Sequence, residues 1–194
     1  MEFDKNLKEY AKKHDVPISF DETMQFLINT INKYKCKRVL EIGTAIGFGS
    51  ISMAQNSCVE HIDTVELNPD TFALAKQNIA SRGFDSKINC INMDAKDYIE
   101  NCINTYDLIY VDGPKGQYVN YLPKLADLLK PNGIIVADNV FFHGMVTGTT
   151  PVTAGCRSMI KGLHKFVKEI TTNPKYDTQI LDIGDGVAFI RKTL

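Results

Sequence analysis

Apolar positions recur along this chain at two spacings, and the alternation between the two predicts its elements. Phe3, Leu7, Tyr10 and Ala11 keep helical spacing through the Lys-rich stretch Glu2 to His14, which Pro17 terminates. Met24, Leu27, Ile28 and Ile31 repeat that spacing behind Ser19-Phe-Asp-Glu22, a capping-box sequence. Aliphatic and β-branched runs then predict strands at Arg38 to Ile42, His61 to Val65, Ile88 to Met93, Asp107 to Val111 and Ile134 to Ala137. Helices fall between them. Ile51, Met53 and Ala54 begin one; Asn68 as N-cap, Pro69 at N1 and the stop Arg82-Gly83 bound another. Ala95 to Ile103 is a short third. Tyr118, Leu122, Leu125 and Leu129 mark a fourth, with Pro123 in its first turn or kinking it, and Pro131-Asn-Gly133 turns the chain into the fifth strand. Met159, Leu163, Phe166, Val167 and Ile170 form a last helical stripe. Thr178 to Ile183 and Val187 to Arg191, flanking Gly184-Asp-Gly186, read as a hairpin.

Strands alternating with helices imply a parallel sheet with right-handed crossovers, whose ligands bind beyond the carboxyl ends of the strands. The expected fold is therefore α/β, a mostly parallel seven-stranded sheet closed by an antiparallel C-terminal hairpin, with helices on both faces. At 194 residues, 44% hydrophobic and 23% charged, the chain suffices for one good core and is short for two. One domain over 1–194 is expected, with an N-terminal helical extension to about residue 33. No apolar run of about 18 residues occurs and the first residues are charged, so a soluble, cytoplasmic protein without a membrane partner is expected. Five scattered cysteines without C-x-x-C spacing argue against a disulfide framework and a zinc knuckle. A net charge of −1 means that any nucleic-acid partner would need a local basic patch.

The centre of the chemistry is Val39-Leu-Glu-Ile-Gly-Thr-Ala-Ile-Gly-Phe-Gly49, a strand running into a glycine turn and a helix. Gly43, Gly47 and Gly49 let a ligand approach the backbone, but their spacing is not the G-x-G-x-x-G of dinucleotide proteins. Glu66, closing the second strand, can accept hydrogen bonds from both ribose hydroxyls of an adenosine, or is simply an acid favoured at a helix start. Met93-Asp94-Ala95 closes the third strand where an adenine would lie, and Asp94 reads equally as an N-cap. Asp112 and Asp138-Asn139 close adjacent strands. Two carboxylates and an amide oxygen on rigid positions suit Mg²⁺ or Mn²⁺, and a cation offsets the repulsion between the acids. Lys115, three residues past Asp112, would give up its proton beside such an ion and serve as a base for a hydroxyl. Arg157, Lys161, His164, Lys165 and Lys168 lie opposite the last apolar stripe, either tracking phosphates or forming an ordinary solvated face.

The stretch E-x-G-x-x-x-G-x-G resembles motif I of the class I S-adenosylmethionine-dependent methyltransferases, and the parallel sheet with its terminal hairpin resembles their Rossmann-like fold. From about Val16 to Arg191 the chain resembles the cation-dependent O-methyltransferases of the catechol and caffeoyl-CoA type. EIGTAIGFGS, VDGPKGQY, DNVFFHGMV and IGDGVA look most like the bacterial tRNA 5-hydroxyuridine methyltransferase branch. That resemblance implies S-adenosylmethionine as cofactor, a metal held by Asp112, Asp138 and Asn139, and Lys115 with Asp112 as the catalytic pair. It implies a cofactor site of Ser19, Glu41, Gly43, Gly47, Gly49, Glu66, Met93, Asp94, Ala95 and Asp112. It further implies a homodimer and the anticodon region of tRNA as substrate, the wobble 5-hydroxyl becoming a methoxyl. Ser19 enters only through the resemblance, since the capping box accounts for it without a ligand. Gly49 stands where many members have serine, and Gly113-Pro114 replaces the usual pair beside the metal. A small catechol or phenylpropanoid is the alternative substrate. From other classes, an NAD-binding oxidoreductase is opposed by the glycine spacing, and a non-catalytic cofactor-binding protein by the acid set with Lys115.

Overall fold

The computed structural model describes residues 3–193. Asp4 caps helix α1 (Lys5–Lys13) by accepting the Leu7 amide at 3.0 Å; the expected start at Glu2 lies outside the described residues. Helix α2 (Asp21–Tyr34) buries Met24, Leu27, Ile28 and Ile31, the face its spacing predicts. Its start corrects the capping box. Phe20 is the N-cap and no side chain caps the helix, so Ser19 stands one position outside, with its hydroxyl bonded elsewhere.

Strands β1 (Arg38–Ile42), β2 (His61–Glu66), β3 (Ile88–Asn92), β4 (Tyr106–Val111) and β5 (Leu129–Ala137) pair in parallel. Strand β6 (Tyr176–Leu181) pairs with β7 (Val187–Lys192), which returns antiparallel against β5, giving the order β3-β2-β1-β4-β5-β7-β6. Between them lie α3 (Phe48–Ala54), α4 (Pro69–Ser81), α5 (Ala95–Asn101), α6 (Tyr118–Asp127) and α7 (Arg157–Thr172). The expected seven-stranded sheet is thus present, and the chain order of its strands is reversed about β1 and β4. That reversal opens a crevice at their carboxyl ends.

Most differences from expectation are at element ends. Helix α3 begins at Phe48, β3 stops at Asn92, β6 runs two residues earlier, and α5 ends at Asn101 because Cys102 is extended. Pro123 lies inside α6, beyond its first turn. The larger correction is Pro131-Asn-Gly133, a bulge within β5 and not a turn ahead of it. Pairing steps from Tyr106–Leu129 to Leu108–Ile134, with Asn132 at φ 64°. Strand β4 supplies ladder partners on both sides, so the strand continues through the extra residues.

The core has two layers. Leu7, Met24, Leu27, Phe48 and Ile51 pack on one sheet face with Val39, Leu108, Tyr110 and Val136. Ile99, Leu122, Leu125, Leu163 and Phe166 pack on the other with Leu40, Ile109, Val111 and Ile135. In-register pairing sets Glu41 beside Tyr110 and Tyr110 beside Val136. Side chains two residues apart share a face, so Asp112 and Asp138 extend the face that carries Tyr110. No helix among the described residues is long and apolar enough to cross a membrane.

Candidate active site

A cavity of about 680 Å³ opens at the carboxyl ends of the central strands, a size suited to a nucleoside-bearing ligand. Of the residues singled out in the sequence, Ser19, Glu41, Gly43, Gly49, Glu66, Met93, Asp94, Ala95, Asp112, Lys115 and Asn139 line it. Gly47 does not; it is the N-cap of α3 and shapes the turn from below. Asp138 does not either, being fully buried behind the wall.

The glycine turn is built by close approach. Gly43 has φ 100°, and a Cβ there would overlap the Asp112 carbonyl oxygen. Only glycine lets the end of β1 meet the end of β4 so tightly. Glu66 is pinned at both carboxylate oxygens, Oε2 accepting the Ala45 amide and Oε1 the Asn68 amide, each at 2.9 Å. It therefore holds the turn in place and keeps further lone pairs at the cavity wall. Asp94 accepts the Lys96 amide at 2.7 Å and so does cap α5 while lining the cavity. Met93 beside it is 42% exposed, an apolar surface of the kind a flat ring covers.

Glu41 is a buried acid at the same turn. Thr64 Oγ1 donates to its Oε2 at 2.6 Å, and burial pushes its carboxyl up to about 8, with the nearby charges of Asp112 and Glu66 adding to the rise.

At the other end of the cavity the acids gather. Lys115 Nζ lies 2.8 Å from Asp112 Oδ1 and 3.5 Å from the Gly113 carbonyl. Asp138 Oδ1 accepts the Asn139 amide at 2.7 Å, and its Oδ2 accepts the Tyr110 hydroxyl at 2.9 Å. Burial raises the Asp138 carboxyl to about 6, and repulsion from Asp112 adds to it, against the two hydrogen bonds and the Lys115 charge. Asn139 holds a left-handed backbone, φ 56°, at the cavity wall. Among the described residues no three of His, Cys, Asp and Glu form a metal cluster; the donor set is instead two carboxylates and an amide. Such hard oxygens, with a mutual repulsion that a cation would relieve, fit Mg²⁺ or Mn²⁺.

Sequence reasoning gave no role to several residues of the site. Tyr110 reads as one more apolar strand position, yet its hydroxyl touches Asp138 and Ser19. Phe142, His143 and Asp185 also line the cavity. Phe142 and His143 are left-handed at φ 44° and 52°, conformations that cost about 1–3 kcal/mol each. Asp185, in the β6–β7 turn, holds them there by accepting the His143 amide at 2.7 Å. The Gly-Asp-Gly spacing announced the turn and nothing in it announced the contact.

A family described as O-methyltransferase matches residues 2–193. Caffeoyl-CoA O-methyltransferase of Medicago sativa is 29% identical over 202 residues, covering 97% of this chain and 81% of that one. A candidate caffeoyl-CoA O-methyltransferase from Staphylococcus aureus superposes with TM-score 0.90 at 32% identity, covering 97% of this chain and 91% of that chain. An O-methyltransferase from Bacillus cereus, solved in complex with S-adenosylhomocysteine, shares the fold at TM-score 0.83 and 20% identity, over 100% and 93% of the two chains.

Proposed function

The chain belongs to the O-methyltransferase family, of the caffeoyl-CoA O-methyltransferase type, and on that premise we propose that it methylates a hydroxyl with a neighbouring oxygen, from S-adenosylmethionine. The observation that carries this reading is the juxtaposition of Lys115, Asp112 and Asn139 at one end of a cavity, with Asp138 just behind its wall, while Gly43, Glu66, Met93 and Asp94 line the other end. Glu66 would hold the ribose hydroxyls, Met93 would cover the adenine, and Gly43 would admit the ligand against the backbone. Asp112, Asp138 and Asn139 would hold a divalent cation, which when bound acidifies a chelated hydroxyl and orients it. Lys115 would take the proton from the substrate hydroxyl, whose oxygen would attack the sulfonium methyl in line and release S-adenosylhomocysteine.

We propose 5-hydroxyuridine at the tRNA wobble position as the substrate. Its 5-hydroxyl and adjacent C4 carbonyl oxygen present the vicinal pair of a catechol. Arg157, Lys161, His164, Lys165 and Lys168 are all exposed along α7 and supply the local basic surface a tRNA needs. The second reading, a small catechol or phenylpropanoid, is favoured by the activities named for the relatives. The test is methyl transfer from labelled cofactor to tRNA lacking the modification and to a catechol panel, with Mg²⁺ and with excess chelator. Labelled tRNA with inert catechols supports the first reading and the converse supports the second. Undiminished turnover in chelator would remove the metal from the scheme.

A further inference from the structure

Four oxygens from distant parts of the chain form one line through the acid end of the site. Asp112 Oδ2 lies 3.3 Å from Ser19 Oγ, Ser19 Oγ 2.9 Å from the Tyr110 hydroxyl, and that hydroxyl 2.9 Å from Asp138 Oδ2. Two hydroxyls thus bridge the two carboxylates. We propose that Tyr110 is a positioning residue whose hydroxyl sets how Asp138 presents its oxygens to a divalent cation, an inference that rests on the metal reading above.

The hydrogen count supports this. Three contacts share two hydroxyl protons, so one contact is always without a donor. Asp138 cannot donate as a carboxylate, so its short contact takes the tyrosine proton. Ser19 then has one proton for two acceptors, the Tyr110 hydroxyl oxygen at 2.9 Å and Asp112 Oδ2 at 3.3 Å. Whichever of the two Ser19 serves, the Tyr110 proton goes to Asp138 Oδ2.

Geometry makes the orientation strict. Asp138 is held at both ends, Oδ1 by the Asn139 amide and Oδ2 by Tyr110, so its carboxyl plane cannot turn. Tyr110 is itself enclosed: it is fully buried on a central strand, between the neighbours β1 and β5. Removing the hydroxyl would leave a buried carboxylate oxygen without its donor and free the plane to rotate. Groups that hold a metal ligand in this way typically matter about 10–100-fold in metal affinity.

The experiment is Mn²⁺ titration of wild type and Tyr110→Phe, followed by electron paramagnetic resonance of the free ion, with S-adenosylhomocysteine affinity and melting temperature measured alongside. Tyr110→Phe deletes one oxygen and keeps the ring. The expected result is an Mn²⁺ dissociation constant raised roughly 10–100-fold, with S-adenosylhomocysteine affinity within about twofold. Ser19→Ala, which leaves Tyr110 in place but removes the hydroxyl beside it, is expected to give a smaller rise and serves as the test if Tyr110→Phe does not fold. A lowered melting temperature with unchanged Mn²⁺ affinity would show a merely structural hydroxyl and overturn the proposal. Wild type that binds no Mn²⁺ would overturn the metal reading itself, and this inference with it.

Discussion

The carboxyl of Glu41 occupies the space that a Cβ on Gly49 would need, so the strand residue and the helix residue behave as one unit. Gly49→Ala should force the acid out of its seat beside Thr64 and destabilise the protein by about 1–3 kcal/mol, as overpacking does. Glu41→Ala vacates the same space, so the double variant should lose clearly less than the sum of the two. Denaturant melts of the four proteins give the coupling, and strict additivity would deny the contact.

The same acid gives a pH dependence. Glu41 ionises near its ordinary 4.5 in the unfolded chain and near 8 when folded, because burial disfavours its charge. Its contribution to stability is full below the lower value and is lost as pH rises through the upper one. Glu41→Gln mimics the neutral acid and escapes this loss. Its melting temperature should match wild type near pH 4 and exceed it above about pH 8; a constant offset at all pH values would contradict the assignment.

Lys115 Nζ lies 2.8 Å from Asp112 Oδ1, at the acid end of the cavity. Lys115→Met should lower kcat by roughly 10²–10⁴-fold, the usual worth of a positioned base. S-adenosylhomocysteine binding, measured by calorimetry, should be nearly unchanged. A kcat within a few-fold of wild type would move the proton to another group.

Glu66 has two duties, since it pins the Ala45 and Asn68 amides and is the proposed ribose acceptor. Glu66→Gln keeps an acceptor for the turn but loses the charge and one acceptor oxygen. We expect the S-adenosylhomocysteine dissociation constant to rise by about tenfold, with a smaller change in kcat, because a ribose contact is alike in ground and transition states. Unaltered affinity would return Glu66 to a purely local role.

The basic face of α7 separates the two substrate readings. Replacing Lys161, Lys165 and Lys168 with glutamine should raise the KM for tRNA and flatten the salt dependence of its binding, by up to about one unit of slope per lost phosphate contact. Turnover of a small catechol should not move. Identical slopes for both proteins would exclude phosphate tracking by this helix.

What the sequence determined by itself is local. Apolar spacing, the Asn68-Pro69 cap and the hairpin glycines act within a few residues, so they specified the parallel sheet, its antiparallel close and the acids at strand ends. The turn at Gly43 was equally legible, since its spacing alone set it apart from a dinucleotide loop. Tertiary structure decided whatever depends on partners far along the chain. Ser19 matches a capping box, but its hydroxyl meets Tyr110 and Asp112, 91 and 93 residues away. Pro131-Asn-Gly133 has turn chemistry, yet pairing with β4 carries the strand through it. Tyr110 shows a strand pattern only the hydrophobic half of its side chain, and where its hydroxyl points follows from sheet order and register. Those are set by the packing of the whole molecule, because a buried polar atom takes whichever partner the assembled fold brings within reach.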